Sequence, residues 1–313
     1  MNMVSRNYRY LFGPVPSRRF GRSLGVDLLQ TKTCSFDCIF CQLGRTPETT
    51  LERREFVPVE AVCRELRQWL ESGSATDYIT LSGTGEPTLH GRFGEVLCEV
   101  QRMTSIPVVL LTNGSLLSQS RIRYAACAAD VVKASLSAWD QPSFERINRP
   151  HAGLHFRVLV QGLRLMREAL DGQLWLEVMV LAGVNDTVEQ MSQIAALAAT
   201  IEPDVVHLNT VERPPAEAAA RPVDRGHLER LAALFTPKAV PVGRFQAPSQ
   251  PQFRATEAAI VGILQRRPCT GDEIARANGF HPNEVAKYTT DLVQSGRVSV
   301  MHQHGQRYFV LNE

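Results

Sequence analysis

Three cysteines lie within one short stretch of the chain, at the spacing of a metal-binding loop. They follow a C-x3-C-x2-C pattern in the run Thr33-Cys34-Ser35-Phe36-Asp37-Cys38-Ile39-Phe40-Cys41-Gln42. Thiolates bind zinc and iron–sulfur clusters, but a structural zinc site takes four protein ligands, whereas a four-iron cluster held by three thiolates keeps one iron open. The spacing therefore predicts a metal centre with an open position. Two plainer interpretations remain, namely three buried cysteines near a turn and a zinc site completed by a distant His or Cys.

The cysteine spacing, with Phe40 directly before the third cysteine, resembles the signature of the radical S-adenosylmethionine (SAM) enzymes. In that family the three cysteines hold a [4Fe-4S] cluster, and the open iron chelates the amino and carboxylate groups of SAM. The resemblance assigns Cys34, Cys38 and Cys41 to the cluster and places Phe40 beside the adenine. It implies an enzyme that cleaves SAM reductively to methionine and a 5′-deoxyadenosyl radical, which abstracts hydrogen from a substrate.

A glycine-rich turn follows the strand predicted at 78–81, in the run Ser82-Gly83-Thr84-Gly85-Glu86-Pro87. Its glycines would let the backbone approach a ligand closely, although such a turn is most often just a tight turn. It resembles the family's Gly-Gly-Glu-Pro segment, which binds the methionine amino group of SAM. Here Thr84 separates the two glycines. The resemblance implies SAM contacts from Gly83, Gly85 and Glu86.

Polar residues close three further predicted strands. Thr112-Asn113-Gly114 resembles the family's fourth-strand segment, which faces the SAM ribose and carboxylate, and this implies a contact from Asn113. Ser135 and Ser137 are two residues apart on one strand, so we expect both to face the barrel interior near the ribose or the substrate. An ordinary Ser pair at a strand end is the alternative. Lys133 shares that face and could pair with a carboxylate or remain a rim charge.

The sixth-strand turn of the family touches adenine through backbone groups. Ala182-Gly183-Val184-Asn185 resembles that turn, which implies contacts from Gly183 and Val184.

The segments between Gly13 and Pro222 are similar in order to a narrower branch, that of the radical SAM enzymes of wybutosine synthesis on transfer RNA. That branch implies a nucleobase as substrate. The archaeal enzyme is expected to carry a second cluster on further N-terminal cysteines, whereas this chain has no cysteine before Cys34. The resemblance rests on Gly13-Pro14-Val15-Pro16-Ser17-Arg18-Arg19, the cysteine loop, the run 82–90, Arg146-Ile147-Asn148-Arg149-Pro150 and Leu208-Asn209-Thr210.

Composition is that of an ordinary globular protein in a reducing compartment. The chain has 313 residues with 44% hydrophobic and 21% charged residues, and it contains no apolar run of membrane-spanning length and no apolar secretory leader. Seven cysteines, three of them clustered, do not form a disulfide framework. We therefore expect a cytoplasmic protein without a membrane partner. A net charge of +2 gives no general argument for a polyanionic partner.

The N-terminal segment is locally basic, since five arginines and no acid precede Asp27. These arginines could bind phosphate or carboxylate groups, or form a solvated arm. They are Arg6, Arg9, Arg18, Arg19 and Arg22.

Strands and helices alternate through most of the chain. A loop through the N-terminal glycines and prolines is predicted to lead into a first strand at 24–28. Further strands are predicted at 78–81, 107–112, 131–136, 174–181 and 204–208, with helices at 59–72, 92–103, 119–126, 154–170, 187–199 and 224–235. This repetition predicts parallel βαβ units and an α/β fold, a partial (β/α)6 TIM-like barrel, whose ligands bind at the C-terminal strand ends.

The domain organisation predicted is a barrel at 1–236, a linker at 237–254 and a second unit at 255–313. Three predicted helices and a hairpin in that unit resemble a winged helix-turn-helix domain. Its charges balance, whereas a nucleic-acid reader usually presents a basic face, so binding to protein, peptide or its own barrel is at least as well favoured as DNA. The balance is between Arg266, Arg267, Arg276, Lys287, Arg297 and Arg307 and the acids Glu257, Asp272, Glu273, Glu284, Asp291 and Glu313.

Three functions remain open on these grounds. The first is a radical SAM enzyme that modifies a nucleobase in RNA, and the second is one that acts on a small metabolite or a peptide delivered by the C-terminal unit. Both require a flavodoxin- or ferredoxin-like electron donor. The third is a redox-sensing regulator in which the cluster is the sensor and the winged helix reads DNA. The predicted SAM turns at Gly83 and Asn113 count against it.

Overall fold

The computed structural model describes residues 8–17, 19–29, 31–242, 256–277, 280–303 and 305–312. Its main feature is a sheet in which each strand pairs with the next in sequence. Strands β1 and β2 are antiparallel, and β2 to β8 are parallel. The strands are β1 (Leu11–Ser17), β2 (Gly21–Val26), β3 (Tyr78–Leu81), β4 (Val108–Thr112), β5 (Val131–Ser135), β6 (Gln173–Val180), β7 (Val205–Thr210) and β8 (Val240–Pro241).

Helices cover the outer face of this sheet. An apolar stripe on the first helix, formed by Val62, Leu66 and Trp69, is buried against the barrel wall. These helices are α1 (Val59–Glu71), α2 (Phe93–Met103), α3 (Ser120–Ala126), α4 (Gln141–Asn148), α5 (Phe156–Ala169), α6 (Val188–Ile201) and α7 (Arg225–Ala232), with a 3₁₀ turn at Pro87–Leu89. The partial TIM-like barrel is confirmed. None of the described helices has the length and apolar character that a membrane crossing requires.

The N-terminal segment is the main correction to the predicted elements. It was expected as a loop but forms β1, which pairs with β2. Gly13 has a φ of +95°, and the register shifts between Phe12 and Val15, so a bulge interrupts the alternation of apolar residues that would have revealed the strand. The turn after β1 carries Phe20, which stacks on Trp175 at 5.1 Å and closes the N-terminal end of the barrel interior.

Two other elements differ from the expectation. Helix α4 was not predicted, although Asp140 and Ser143 form a capping box at its start. Val240 pairs with His207 of β7, so a short strand, β8, forms within the range that was predicted to be a linker. The rest of that linker, from residue 243 onward, lies outside the described residues.

The C-terminal unit contains helices, a hairpin and a third short strand. Its elements are α8 (Glu257–Leu264), β9 (Cys269–Thr270), α9 (Gly271–Ala277), α10 (Pro282–Gln294), β10 (Val298–Gln303) and β11 (Gln306–Leu311). The antiparallel sheet has the order β10-β11-β9. Three helices and a hairpin occur where they were predicted, and the assignment to the winged helix class and the domain boundaries stay predictions.

This C-terminal unit packs on the barrel at two places. Its apolar core includes Val15, and Phe12 packs against it, so β1 is covered along one edge of the main sheet. At the second place the Tyr308 hydroxyl donates to the Glu212 carbonyl at 2.7 Å, just after β7. Arg213 forms an ion pair with Glu273 beside that bond. The C-terminal unit therefore contacts its own barrel, which is one of the partners considered for it.

Candidate functional site

Backbone hydrogen bonds hold the cysteine loop at two places in the barrel mouth. By the barrel mouth we mean the C-terminal ends of the parallel strands. At one side Thr33 pairs with the glycine-rich turn after β3, since its amide donates to the Thr84 carbonyl at 3.2 Å and its carbonyl accepts from the Glu86 amide at 3.0 Å. At the other side the Ile39 amide donates to the Ile147 carbonyl at the end of α4, also at 3.0 Å. Backbone bonds therefore fix the loop at both ends.

Each of the three thiols has a nitrogen donor beside it. Asn113 Nδ2 lies 3.6 Å from Cys34 Sγ and Asn148 Nδ2 lies 3.4 Å from Cys38 Sγ. Lys32 Nζ lies 3.5 Å from Cys41 Sγ. Hydrogen bonds to the cysteine sulfurs are a general means by which proteins stabilise the negative charge of thiolate-bound iron–sulfur centres.

Without such a centre, burial favours the protonated form of the Cys34 and Cys38 thiols. Burial raises the pKa of Cys34 to about 12, with a further contribution from Glu86, and burial also raises the pKa of Cys38. No three His, Cys, Asp or Glu side chains of the described ranges are placed to share one metal ion. A polynuclear cluster binds each thiolate to a different iron, so three partly buried thiols with one donor each fit a cluster as their ligand set.

The glycine-rich turn leaves no room for side chains at its two glycines. Gly83 has a φ of +149°, and a Cβ there would lie 2.3 Å from the Asp27 carboxyl carbon. A Cβ on Gly85 would lie 1.7 Å from the Thr33 carbonyl oxygen. Glycine is therefore required at both positions for the turn to pair with the cysteine loop.

Glu86 is a buried carboxylate at the end of the glycine-rich turn, and its predicted SAM contact stays a prediction. It is 2% exposed and accepts four hydrogen bonds from the ends of β3 and β4. The donors are the Thr88 amide and hydroxyl, the Thr112 hydroxyl and the Asn113 amide, at 2.6 to 3.1 Å. Burial raises the pKa of this carboxyl, and the hydrogen bonds oppose that rise. Glu86 thereby fixes the segment that carries Asn113.

Asn113 lies where the resemblance implied a SAM contact, and it also orients the cysteine loop. Its Nδ2 donates to Ser35 Oγ at 2.9 Å, and its Oδ1 accepts from the Ser115 amide at 2.9 Å. Ser35 and Ser115 share a buried hydroxyl hydrogen bond of 2.7 Å. Asn113 therefore belongs to a rigid polar network under Cys34.

A second buried carboxylate, Asp27, holds the glycine-rich turn from below. Its Oδ1 accepts from the Thr84 hydroxyl at 3.1 Å and from the Thr84 amide at 3.3 Å. Its Oδ2 lies 3.2 Å from Nε of Arg266, which the C-terminal unit inserts beside β1. Burial lowers the pKa of the Arg266 guanidinium, while Asp27 counteracts that shift. The C-terminal unit is thus connected to the predicted SAM turn through two side chains.

The two predicted adenine contacts come together. Phe40 and Val184 both pack against one apolar cluster at the mouth, which contains Ile39, Met179 and Leu181. Gly183 turns the chain there with a φ of +74°. The Val184 carbonyl accepts a hydrogen bond from Arg146 Nη2 at 2.7 Å.

The predicted serine pair is split by the structure. Ser135 ends β5 and is half-buried, whereas Ser137 lies beyond the strand and is 3% exposed. The Ser137 hydroxyl accepts the Met179 amide hydrogen at 3.0 Å, and its carbonyl accepts from Asn185 Nδ2 at 2.9 Å. Ser137 therefore joins β5 to β6, and the ligand contacts predicted for both serines stay predictions.

Deeper in the barrel than the strand ends, inward-facing residues form a charged group that we call the lumen cluster. Its members are Arg19, Lys133, Glu177, His207 and Asn209. Glu177 Oε2 lies 2.5 Å from Lys133 Nζ, and Glu177 Oε1 lies 2.7 Å from Arg19 Nη1 and 3.2 Å from Asn209 Nδ2. Lys133 is thus inside the barrel and paired with a carboxylate, one of the two placements considered for it.

Sequence reasoning missed several residues of the site. Asn148 and Arg19 lie in runs that carried the branch resemblance, but nothing in those runs indicated a thiol donor or a lumen charge. Lys32, two residues before Cys34, was an available signal. Of the N-terminal arginines, Arg22 pairs with Asp77 at 2.9 Å. Arg6 and Arg18 lie outside the described residues.

Comparison with known proteins identifies the barrel. The sequence profile of the radical SAM superfamily matches residues 28–195, more than half of the chain. A UPF0026 protein of Helicobacter pylori is 30% identical over 294 residues, covering 89% of this chain and 92% of that protein. A protein of Brachyspira hyodysenteriae named GTPase Obg is 33% identical over 96% of this chain, and the chain spans 45% of its length.

Among solved structures, SuiB of Streptococcus suis bound to its precursor peptide SuiA shares the fold. The TM-score is 0.54 at 14% sequence identity, and the match covers 70% of this chain and 48% of SuiB. At that identity the likeness concerns the fold alone.

Proposed function

The chain belongs to the radical SAM superfamily and is an enzyme, and we propose that it cleaves SAM at a [4Fe-4S] cluster held by Cys34, Cys38 and Cys41. The family implies SAM and an iron–sulfur cluster as cofactors. The observation that carries the proposal is the donor beside each thiol, on a loop that pairs with the predicted SAM turn. The redox-sensor alternative has no comparable support, because a sensor needs no SAM turn.

The chemistry comes from the cofactors and the positioning comes from the protein. When bound, the cluster and SAM supply a one-electron reductive cleavage that yields methionine and a 5′-deoxyadenosyl radical, which takes a hydrogen atom from the substrate. Lys32, Asn113 and Asn148 offset negative charge at the three sulfurs. Asp27 and Glu86 fix the two strand ends that would hold SAM. A flavodoxin- or ferredoxin-like protein would supply the electron.

Phe40 and Val184 would form the apolar side of the mouth against the adenine. Their packing with Ile39 and Met179 gives that side a water-poor surface. Excluding water and oxygen is the protein's second contribution, since a carbon radical must meet only its intended substrate.

For the substrate we propose a nucleobase in RNA. The support is the branch resemblance of the segments at Gly13, Arg146 and Leu208, together with two partly exposed guanidinium groups beside the cysteine loop. Arg45 and Arg149 each pair with Glu217, at 2.6 and 2.7 Å, and both could exchange Glu217 for phosphate. Asp37 lies 2.7 Å from the first guanidinium group and 3.8 Å from the second. The C-terminal unit, with its balanced charge, would then serve the barrel itself rather than read nucleic acid.

The direct test is production of 5′-deoxyadenosine by anaerobically reconstituted protein with dithionite and SAM. We expect product from the wild type and from Cys98→Ala, a matched control on α2, but none above background from Cys38→Ala. Absence of product from a wild type with full iron content, whatever substrate is added, would contradict the proposal.

The substrate is tested by adding total RNA, a deproteinised small-molecule extract or a peptide pool to the same reaction. Faster 5′-deoxyadenosine formation with RNA, abolished by ribonuclease, is the expected result. Acceleration by the extract or by the peptides alone would replace RNA with that substrate class.

A further inference from the structure

We propose that the lumen cluster is a binding site for an anionic group, a carboxylate or a phosphate, on a small substrate or co-substrate that enters the barrel from its mouth. This inference rests on the proposed function only in taking the barrel interior as the place where substrate binds. None of the residues of the lumen cluster is one of the three cysteines that would hold the iron–sulfur cluster.

The cluster's charges are not balanced. Arg19 and Lys133 both approach the single carboxylate of Glu177, and the Lys133 side chain is 4% exposed. Among the described residues, Lys133 is buried and Arg19 is 16% exposed, and the two cations share one carboxylate, which leaves an excess of about one positive charge in a largely buried region. The excess shows in a neighbour, because burial together with Lys133 and Arg19 lowers the pKa of His207 to about 4.

Two polar atoms of the cluster are also left over. Counting the described residues as potential partners, His207 Nδ1 and Arg19 Nε are buried and make no hydrogen bond, and Arg19 Nη1 approaches Glu177 at 2.7 Å without the geometry of a hydrogen bond. Buried polar atoms are nearly always satisfied, and each one without a partner costs about 1 to 3 kcal/mol. An anion between Arg19 and His207 would accept a hydrogen bond from each, provided that the His207 tautomer carries its proton on Nδ1.

The position suits a substrate group. Lys133, Glu177 and His207 alternate along β5, β6 and β7 with residues such as Val132, Leu176 and Leu208 that pack outward in the apolar core. They therefore face inward. Ser135 follows Lys133 by two residues on β5, which places it about 7 Å nearer to the mouth than Lys133. An anion at the cluster would leave the rest of a small molecule pointing toward the predicted SAM site.

The floor below the cluster is closed and apolar. Phe20 stacks on Trp175, whose ring lies 5.2 Å from that of His207. Val109 and Val131 complete this floor. A ligand held by the cluster therefore has one direction of entry, from the mouth, and Trp175 would report its arrival.

The alternative is that these ion pairs have only a structural role and connect the β1–β2 turn to the barrel wall. In that case removing either partner of the Lys133–Glu177 pair would destabilise the fold, and neither change would alter anion binding. The two interpretations therefore predict different outcomes when a positive charge and when a negative charge of the cluster is removed.

The test is calorimetric titration of the full-length reconstituted protein with inorganic phosphate and, separately, with acetate, first without SAM, so that the mouth is open, and then with SAM. Trp175 fluorescence provides a second readout, with Trp175→Phe as its blank. We expect one of the two anions to bind. A phosphate-only response indicates a phosphorylated substrate, and an acetate-only response indicates a carboxylate.

The variants decide between site and scaffold. Lys133→Met should weaken anion binding at least tenfold, whereas Glu177→Gln, which removes the competing carboxylate, should strengthen it. The double variant Lys133→Met/Glu177→Gln keeps the local balance if a single variant fails to fold, and it should bind no more tightly than Lys133→Met. The absence of a response to either anion, or equal effects of the two single variants, would overturn the proposal.

This experiment is independent of the proposed reaction. Anion binding requires neither a reduced cluster nor SAM cleavage, and it is measured first without SAM. A protein that binds anions but makes no 5′-deoxyadenosine would refute the proposed function alone. One that makes 5′-deoxyadenosine but binds no anion would refute the lumen site alone.

Discussion

At the barrel mouth two buried carboxylates are surrounded by donors, whereas in the lumen a buried lysine and a partly exposed arginine share one carboxylate. Glu86 accepts four hydrogen bonds and Asp27 pairs with Arg266 and Thr84. The lumen cluster leaves His207 Nδ1 and Arg19 Nε, as far as the described part of the chain extends, without partners. The difference teaches that the polar groups of the mouth satisfy one another within the protein, while the lumen cluster has the unmatched groups on which the proposed anion site rests.

The largest effect is expected where the mouth is most tightly packed. Gly85→Ala would place a methyl group against the Thr33 carbonyl and push the cysteine loop away from the SAM turn. Displacements of about 1 Å at a reaction centre cost on the order of 100-fold in rate, so we expect at least that loss of 5′-deoxyadenosine formation. Gly91→Ala is the matched control, because its nearest neighbour would be 3.4 Å away. Equal activity of the two variants would show that the loop pairing is dispensable.

A second prediction concerns the connection between the C-terminal unit and the mouth. Arg266→Leu leaves Asp27 buried without its cation, and removing one member of a buried pair costs about 3 to 5 kcal/mol. We expect that loss of unfolding free energy in denaturant titrations, together with weaker SAM binding through Thr84. Arg297→Leu breaks an exposed pair with Glu257 and should cost less than about 1 kcal/mol. Unchanged SAM affinity in Arg266→Leu would show that Asp27 holds the turn unaided.

The third prediction uses the lumen. The pKa of His207 is about 4 in the folded chain, against an ordinary value of 6.5. Between these values the unfolded chain binds a proton that the folded chain does not, so stability falls as pH drops from 6.5 through 4. The shift corresponds to about 3 kcal/mol. Unfolding free energies measured across this range should decline less steeply in His207→Gln than in wild type or in His302→Gln, an exposed control. Parallel curves would contradict the buried, cation-facing environment of His207.

The smallest effect is expected from Glu86→Gln. The amide would turn a donor toward the Asn113 amide, which now donates to Glu86 Oε2 at 2.6 Å. A loss of about 2 kcal/mol in unfolding free energy follows from one unsatisfied buried donor. Glu95→Gln, an exposed carboxylate on α2, is the control. A loss no greater than that of the control would mean that the mouth tolerates an unmatched donor. The contrast between the mouth and the lumen cluster would then be weaker than described above.

The sequence predicted the barrel because its signals are local. The strands at Tyr78 and Val131 are short apolar runs between helices with clear stripes, and the glycine turn follows one of them directly. Strand β1 was missed because a bulge at Gly13 breaks its alternation, and α4 because its eight residues carry few apolar positions.

The candidate site was predictable only where a motif is contiguous. Cys34, Cys38 and Cys41 could be proposed from spacing and resemblance, and Asn113 from the resemblance of its segment. Their donors Lys32 and Asn148, and the pairing of Asp27 with Arg266, depend on the folded path of the chain. Asp27 and Arg266 are 239 positions apart, and neither has a motif around it that indicates the other.

The most direct test of the central claim is the electron paramagnetic resonance spectrum of the reduced, reconstituted protein with and without SAM. A radical SAM site predicts the signal of a reduced [4Fe-4S] cluster whose g-values shift when SAM is added, in wild type and in Cys98→Ala. Loss of the signal in Cys38→Ala completes the expected pattern. A well-formed cluster whose spectrum SAM does not change would contradict the claim that SAM binds at the iron held by these three cysteines.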